Sequence, residues 1–224
     1  MDVQEAIRQR KSIRGFTSDP VPRDVLARIL EVACRAPSAM NTQPWEFTVL
    51  TGEPLERLKS ENIARLREKQ EAGTLHSSAG WPRDSVYRTR QVELAKQLFS
   101  LMGIGRGDEG KRSDWMERGF RFFDAPAAIV VAADAILDQT STHFDIGCVV
   151  QNICLAALDH NLGTCIEDQG VMFPDIVRRV AGLPESKEVI VGVAIGVPDW
   201  NFPANAVVTD REPVQSTTTW LGFS

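Results

Sequence analysis

The sequence predicts a fold in which α-helices and β-strands pack against one another as layers. Residues 125–134 form a continuous apolar run, which is typical of a strand buried on both faces. Residues 23–36 carry apolar side chains at helical spacing, which indicates a helix with one face in the core. Residues 143–160 predict another helix, and its apolar residues cover more than one stripe. That helix must be buried on several sides, in the core or at a subunit interface.

The remaining elements follow from the same periodicities. Helices are predicted over residues 2–10, 54–72, about 88–101 and 174–184, and strands over residues 45–52, 164–168 and 188–198. Asp2 is placed to cap the first helix, and Gly163 is expected to close the helix over residues 143–160.

Two stretches lack clear periodicity. Residues 73–124 are the least regular third of the chain, and we interpret them as an inserted lid and substrate-pocket segment within a single domain spanning residues 1–224. The tail over residues 201–224 contains large aromatic side chains but has no core of its own. We therefore expect the tail to pack on another subunit.

The composition is that of an ordinary globular protein. Of the 224 residues, 43% are hydrophobic and 25% are charged, and the net charge is −5. No uncharged apolar run reaches the roughly 18 residues that span a bilayer. The N-terminal charges are not followed by the apolar segment of a secretory signal. These observations predict a cytoplasmic protein without a membrane partner.

Several kinds of catalytic site lack their sequence signatures. The four cysteines form no C-x-x-C pair, which favours reduced thiols, and the three histidines have no metal-ligand spacing. The sequence contains no G-x-S-x-G elbow and no phosphate-binding G-x-x-x-x-G-K-[ST] loop. We expect no metal site and no catalytic side chain of the nucleophile or triad type.

A basic cluster near the N-terminus needs an explanation in an acidic chain. Arg8, Arg10, Lys11 and Arg14 lie within seven positions. A solvated helix C-terminus, where cations are favoured, explains them in one way. Nucleic-acid binding is disfavoured by the pI of about 5.3, and membrane binding by the scarcity of bulky apolar residues opposite the charges. The third explanation is a small anion, because Arg10, Ser12 and Arg14 share one side of an extended segment and suit a phosphate.

Two further segments carry polar residues with more than one interpretation. Ser38, Asn41 and Gln43 are neutral hydrogen-bonding groups that suit a long polar ligand, although turn chemistry alone also explains them. Glu167 and Asp168 are adjacent, and neighbours on a strand point to opposite faces. We therefore interpret the segment around them as contributing its backbone rather than a carboxylate pair.

Five segments together, in this order, resemble the FMN-dependent nitroreductase family. They are RQRKSIRGF, RAPSAMNTQPWEF, DIGCVVQNICLAALDHNLGTCIED, VIVGVAIGVP and DREPV. The resemblance implies an α+β fold with a central mixed sheet flanked by helices, in an intertwined homodimer. It also implies that the C-terminal extension lies on the partner subunit and that FMN is held at the shared interface.

The resemblance assigns roles to matching residues. Arg10 and Ser12 would meet the phosphate of FMN together with Arg211, and Arg14 would lie nearer the ribityl chain and the N1/O2 edge of the ring. Lys11 is the weakest match in the cluster. The second motif, which would reach the flavin from the partner chain, comprises Pro37, Ser38, Asn41 and Gln43. The segment passing the ring, where a backbone N–H meets N5, comprises Ile166, Glu167 and Asp168, and which of its amides serves N5 stays open.

The activity implied is transfer of two electrons from NADH or NADPH through FMN to nitroaromatics or quinones, by a ping-pong mechanism. Trp81, Tyr87 and Trp115, with the aromatics at 120–123, would form the acceptor pocket, although each of them could equally be a core residue. A same-fold reductive dehalogenase or metabolite dehydrogenase is the nearest alternative. A non-catalytic nucleic-acid-binding protein is a more distant one.

Overall fold

A four-stranded antiparallel sheet organises the protein in a computed structural model that describes residues 1–71 and 81–223. The strands are β1 (Glu46–Thr51), β2 (Ala127–Asp134), β3 (Gly163–Glu167) and β4 (Lys187–Gly196), in the spatial order β1-β2-β4-β3. The central strands β2 and β4 are covered on both faces, which explains the continuous apolar run that predicted β2.

The sheet is not mixed as we expected, because all three strand pairings run antiparallel. Within the described residues the parallel pairing is an isolated bridge between Ser12 and Thr164. The N-terminal segment therefore lies along the outer edge of β3 without forming a regular strand. The α+β class with flanking helices is confirmed.

The described helices are α1 (Val3–Gln9), α2 (Arg23–Ala33), α3 (Gly52–Glu71), α4 (Val86–Leu101), α5 (Glu109–Phe120), α6 (Gln139–Leu158), α7 (Pro174–Ala181) and the short α8 (Val214–Thr217). Helices α2 and α6 pack on one face of the sheet, and α3 and α7 pack on the other. As predicted, the Asp2 side chain caps α1 by accepting hydrogen bonds from two backbone N–H groups. The sequence interpretation missed α5, whose N-terminus is capped by Asp108 within a glycine-rich loop.

Side chains alternate along β2 into two separate cores. Ile129 and Val131 point to a cluster shared with α2 and α6, whereas Ala128 and Val130 point to a cluster shared with α3 and α7. The protein is thus a three-layer arrangement of helices, sheet and helices. The apolar helix predicted over 143–160 is α6, which packs on α2 and β3.

Gly163 does not close α6 as we predicted. The helix ends at Leu158, Asp159 occupies its C-cap, and the left-handed residue after it is Asn161. Gly163 instead begins β3, where a Cβ atom would lie 2.5 Å from Cγ1 of Ile13. The glycine is therefore needed for close packing of the N-terminal segment against the edge strand.

The tail after Val207 lies on the surface of the chain. Trp220 and Phe223 stack edge to face with ring centroids 5.5 Å apart, and both are exposed. Packing of this tail on a partner subunit stays a prediction. The interpretation of residues 73–124 as an inserted lid and substrate-pocket segment also stays a prediction, and residues 73–80 of it lie outside the described residues. Among the described helices, none is long and apolar enough to cross a membrane.

Candidate functional site

The basic cluster becomes an extended segment fixed beside β3. Arg10 caps the C-terminus of α1, its backbone N–H donating to the carbonyl of Ala6. Two residues later Ser12 pairs with Thr164, and the Ile13 N–H donates to the Thr164 carbonyl at 2.9 Å. Since Ile13 is buried, the alternation of an extended chain turns Ser12 and Arg14 away from the core.

The side chain of Asn205 holds this segment from the C-terminal side of the chain. Its Oδ1 accepts a hydrogen bond from the Arg14 N–H at 2.7 Å, and its Nδ2 donates to the Gly15 carbonyl at 2.8 Å. The backbone carbonyl of Asn205 accepts a hydrogen bond from Nζ of Lys11 at 2.7 Å. The Lys11 ammonium is therefore engaged by the protein, and burial together with the nearby Arg14 lowers its pKa.

Arg118, on α5, reaches the same segment from the other side. Its Nη2 donates to the Arg14 carbonyl at 3.2 Å, and its Nη1 pairs with Asp124 at 2.7 Å. The guanidinium lies over the ring of Phe202, 4.4 Å from the centroid. Burial lowers the pKa of Arg118, an effect that Asp124 opposes.

Arg10 and Arg14 carry charges that no carboxylate of the described chain neutralises by a salt bridge. Other arginines of the protein do pair with acids, as Arg67 does with Glu117 at 2.8 Å. Among the described residues, the guanidinium of Arg14 makes one long hydrogen bond, 3.4 Å, to the Ser12 carbonyl. Arg10 lines a cavity of about 180 Å³ together with Thr164. Two guanidiniums without a salt-bridge partner in the described chain, flanking a serine in the sequence, are donors that suit a phosphate.

The second predicted motif, residues 37–43, forms a tight exposed loop. Met40, Asn41 and Gln43 all have positive φ, between 46° and 59°. The Ser38 hydroxyl accepts the Gln43 N–H at 2.9 Å, so this side chain braces the loop internally. Asn41 and Gln43 project outward, and Met40 between them is 97% exposed. An exposed loop held in strained conformations is a typical device for contacting a ligand or another chain.

The loop over residues 37–43 and the basic segment lie toward opposite ends of α6. Pro37 and Ser38 share a cavity with the first turns of α6, and the Ala39 N–H donates to the buried carboxylate of Asp145 at 3.0 Å. Arg10 shares its cavity with Leu158, at the C-terminus of α6. The positions of Asp145 and Leu158 are separated by about 20 Å along the helix axis. One chain therefore presents the two motifs at separate places.

The third predicted segment runs off the end of β3 with alternating exposure. Ile166 and Asp168 face outward, whereas the Glu167 carboxyl is buried. Oε2 of Glu167 accepts the Gly170 N–H at 2.9 Å, and Oε1 has no hydrogen-bond partner in the described chain. Burial, with a smaller contribution from Asp168, raises the pKa of Glu167 to about 8. The adjacent carboxylates thus point apart, as the strand pattern predicts.

The structure places the remaining candidates in different surroundings. Arg211 is exposed, and its Nη1 donates to the carbonyls of Thr209 and Asp210 in a cleft of about 740 Å³ against α4. Trp115 packs in an apolar cluster with Leu98. The other two predicted pocket residues, Trp81 and Tyr87, are exposed.

The aromatics at 120–123 are core residues rather than pocket walls. Phe120, Phe122 and Phe123 are buried in the cluster on the α3 and α7 side of the sheet. Whether Trp81, Tyr87 and Trp115 meet a substrate stays a prediction.

Sequence reasoning missed Asn205 and Arg118, which hold the candidate site. Neither belongs to a motif, since Asn205 lies in a short 3-10 turn, Pro203–Ala206, and Arg118 lies on the unpredicted helix α5. The available signals were indirect. A buried asparagine needs several partners, and an arginine near a helix C-terminus often binds carbonyl groups.

Comparison with known proteins identifies the family. A family model described as the nitroreductase family matches residues 7–197. The chain is 34% identical over 220 residues to a chloronitrobenzene nitroreductase from Comamonas testosteroni, covering 98% of this chain and 96% of the relative. It is 30% identical over 224 residues to a 4-nitrobenzoate reductase from Pseudomonas putida, covering 99% and 96%.

A solved structure agrees with the sequence comparisons. The FMN- and NADPH-dependent nitroreductase NfnB from Sphigopyxis sp. strain HMH superposes with a TM-score of 0.91 at 30% identity, covering 100% of each chain. The resemblance carried by the five sequence segments is therefore confirmed, and the chain belongs to the nitroreductase family.

Proposed function

We propose that this protein is an FMN-dependent nitroreductase that uses NADPH or NADH to reduce nitroaromatic compounds, with quinones as further acceptors. The observation that carries the proposal is the pair of arginines, Arg10 and Arg14, which flank Ser12 in the sequence of an acidic protein and form no salt bridge with a carboxylate of the described residues. Membership of the family, and relatives that are named for chloronitrobenzene and 4-nitrobenzoate, supply the reaction class.

The residues present fit FMN by their chemistry. The phosphate of FMN is a dianion at neutral pH, and Arg10 and Ser12 offer it a charged and a hydroxyl donor, while Arg14 offers a second positive charge for the ring; neither arginine forms a salt bridge within the described chain. Lys11 adds positive potential close by although its Nζ is bound to Asn205. The guanidinium and hydroxyl groups of this segment are hydrogen-bond donors, and such donors favour the binding of an anion over that of a cation.

Each residue has a distinct role in this proposal. Arg10 and Ser12 would bind the phosphate, and Arg14 would hold its positive charge at the N1/O2 edge of the ring. Bound FMN would supply the redox chemistry, which is two-electron transfer between the nicotinamide donor and the acceptor. A cation fixed at that edge in a partly buried site would stabilise negative charge on the reduced ring, and it would thereby raise the reduction potential of the flavin. The backbone of the exposed residues Ile166 and Asp168 would lie against the ring.

The site is completed by a second copy of the chain. Because the loop of residues 37–43 and the basic segment lie toward opposite ends of α6, one chain presents them at separate places rather than around one ligand. A two-fold symmetric dimer brings the loop of one copy to the basic segment of the other, and it repeats the arrangement to give two equivalent sites. The exposed aromatic tail supplies apolar surface for such an interface.

The absorption spectrum of the purified protein tests the proposal. We expect a yellow protein that binds FMN and loses its flavin absorbance when NADPH or NADH is added without oxygen. Addition of a nitroaromatic should then restore the absorbance. Double-reciprocal plots of initial rate against nicotinamide concentration, at several acceptor concentrations, should give parallel lines, as in a ping-pong mechanism. A protein that neither carries nor takes up FMN would overturn the proposal.

A further inference from the structure

Both main-chain polar groups of Arg14 are held by side chains from distant parts of the chain. The N–H donates to Oδ1 of Asn205 at 2.7 Å, and the carbonyl accepts a hydrogen bond from Nη2 of Arg118 at 3.2 Å. Before and after Arg14 the chain has ordinary backbone partners, since the Ile13 N–H donates to the Thr164 carbonyl and the Thr17 N–H donates to the Val197 carbonyl. The backbone at Arg14 is thus fixed by two side chains where a strand neighbour is missing.

Asn205 uses its whole amide for this purpose. It is 2% exposed, and besides accepting from Arg14 it donates through Nδ2 to the carbonyls of Gly15 and Asp199, both at 2.8 Å. An acceptor and two donors on one planar group are what an asparagine provides. An aspartate of the same size could accept from Arg14 but could not donate to either carbonyl. Burial makes each missing partner costly.

Arg118 is built into the opposite side. Its guanidinium binds the carbonyls of Arg14 and Phe123, pairs with Asp124, and rests on the Phe202 ring. That ring also covers Gly15, where any Cβ atom would overlap it. Arg118 and Asn205 therefore enclose the backbone of residues 14–15 from two directions and leave the Arg14 side chain outside.

We propose that Asn205 and Arg118 are positioning residues that aim Arg14 at the flavin. The inference rests on the proposed function, in which Arg14 binds FMN. Fixing the backbone sets the direction of the Cα–Cβ bond and removes freedom that Arg14 would otherwise lose on binding. The two residues act on FMN through Arg14 and need not touch it.

A double-mutant cycle tests this dependence. FMN affinity is measured by quenching of flavin fluorescence for Asn205→Ala and Arg118→Met, each in the wild-type background and in the Arg14→Ala background. Methionine keeps an apolar stem over Phe202 while removing the donors. Arg178→Met is the matched control, because Arg178 is also an arginine that donates to a backbone carbonyl, that of Lys187 through Nε and Nη2, and this carbonyl is not part of the basic segment. The melting temperature of each FMN-free variant reports its stability.

The expected result is non-additivity. Asn205→Ala and Arg118→Met should each weaken FMN binding about tenfold in the wild-type background and less than twofold in the Arg14→Ala background. Arg178→Met should lower the melting temperature and leave FMN affinity within twofold of wild type. These three results together support the inference.

Two other results overturn it in distinguishable ways. If Asn205→Ala and Arg118→Met weaken FMN binding equally in both backgrounds, or not at all, they do not act through Arg14, and the proposed function stands without them. If Arg14→Ala leaves FMN affinity unchanged, the assignment of Arg14 within the proposed function is wrong, and the positioning role falls with it.

Discussion

The buried carboxyl of Glu167 accepts a hydrogen bond from the Gly170 N–H at 2.9 Å, while its second oxygen lies without a partner in the described chain. This hydrogen bond closes the turn that follows β3, and Glu167 lies within the segment expected to meet the flavin ring. A carboxyl in such a place is more stable neutral than ionised, and its pKa rises from the ordinary 4.5 to about 8.

Glu167 makes the stability of the protein fall as the pH rises from about 5 to 8. In this window the unfolded chain has already lost the Glu167 proton whereas the folded chain keeps it, so the folded state binds more protons. The free energy of unfolding then decreases with pH, by up to about 1.4 kcal/mol per unit, and the effect is constant below and above the window. Glu167→Gln removes the titration and should flatten this part of the curve.

Urea unfolding at pH 5, 6, 7 and 8, at one concentration of protein and of FMN, measures how the free energy of unfolding changes with pH in the wild type and in Glu167→Gln. Asp168→Asn is the control, because Asp168 is exposed and adds less to the shift than burial does. It should retain most of the slope. Equal slopes in wild type and Glu167→Gln would show that Glu167 does not titrate in this window.

Gly163→Ala should separate the N-terminal segment from β3. The new methyl group would lie 2.5 Å from Cγ1 of Ile13 and 2.8 Å from the ring of Pro198, so the segment carrying Ser12 must shift. We expect a loss of about 1–3 kcal/mol in the free energy of unfolding, as for other overpacked sites, together with weaker FMN binding.

Gly110→Ala is the matched control for that change. Gly110 lies in the first turn of α5, and the nearest atom to a Cβ there is 3.9 Å away. This substitution should leave FMN affinity unchanged and stabilise the helix by up to about 1 kcal/mol. The packing account of Gly163 fails if the two alanine variants unfold at the same urea concentration.

Arg10→Ala should weaken FMN binding about ten- to a hundredfold, the effect of removing a charge-assisted hydrogen bond to a phosphate. Arg8→Ala is its control, since Arg8 is exposed on the same helix and its side chain binds Gln4 at 3.2 Å. Both variants remove one positive charge from the cluster. Equal losses in equilibrium titrations would mean that only overall charge matters and that Arg10 has no specific contact.

Adding Arg211→Ala to Arg10→Ala tests the remaining phosphate assignment. Arg211 lies against α4 and binds its own backbone neighbours, so it must reorient to reach a phosphate bound by Arg10. A further loss of affinity in the double variant is expected. No further loss would remove Arg211 from the site.

Local sequence patterns predicted most of the elements because apolar periodicity directly records which faces are buried. The buried strand β2 and the helix α6 were recognised in this way. The patterns failed where long-range packing decides the outcome. Gly163 reads as a helix cap in sequence, yet its role depends on Ile13, 150 positions earlier in the numbering.

The candidate site shows the same division. Arg10, Ser12 and Arg14 could be proposed from spacing alone, because one extended segment carries them. Asn205 and Arg118 could not, since each contacts Arg14 from a remote part of the sequence and neither belongs to a repeated pattern. The opposite positions of the two motifs on α6 likewise became visible only in three dimensions.

Mixed dimers test directly whether each FMN is bound by the basic segment of one copy and the loop over residues 37–43 of another. One variant carries Arg10→Ala and Arg14→Ala, and the other carries Asn41→Gly and Gln43→Gly, which remove the side chains while permitting the positive φ of the loop. Each variant alone should bind little FMN. The isolated heterodimer should bind one FMN per dimer, because one of its two sites has both motifs intact. Heterodimers that bind no more FMN than the parent variants would contradict a shared site.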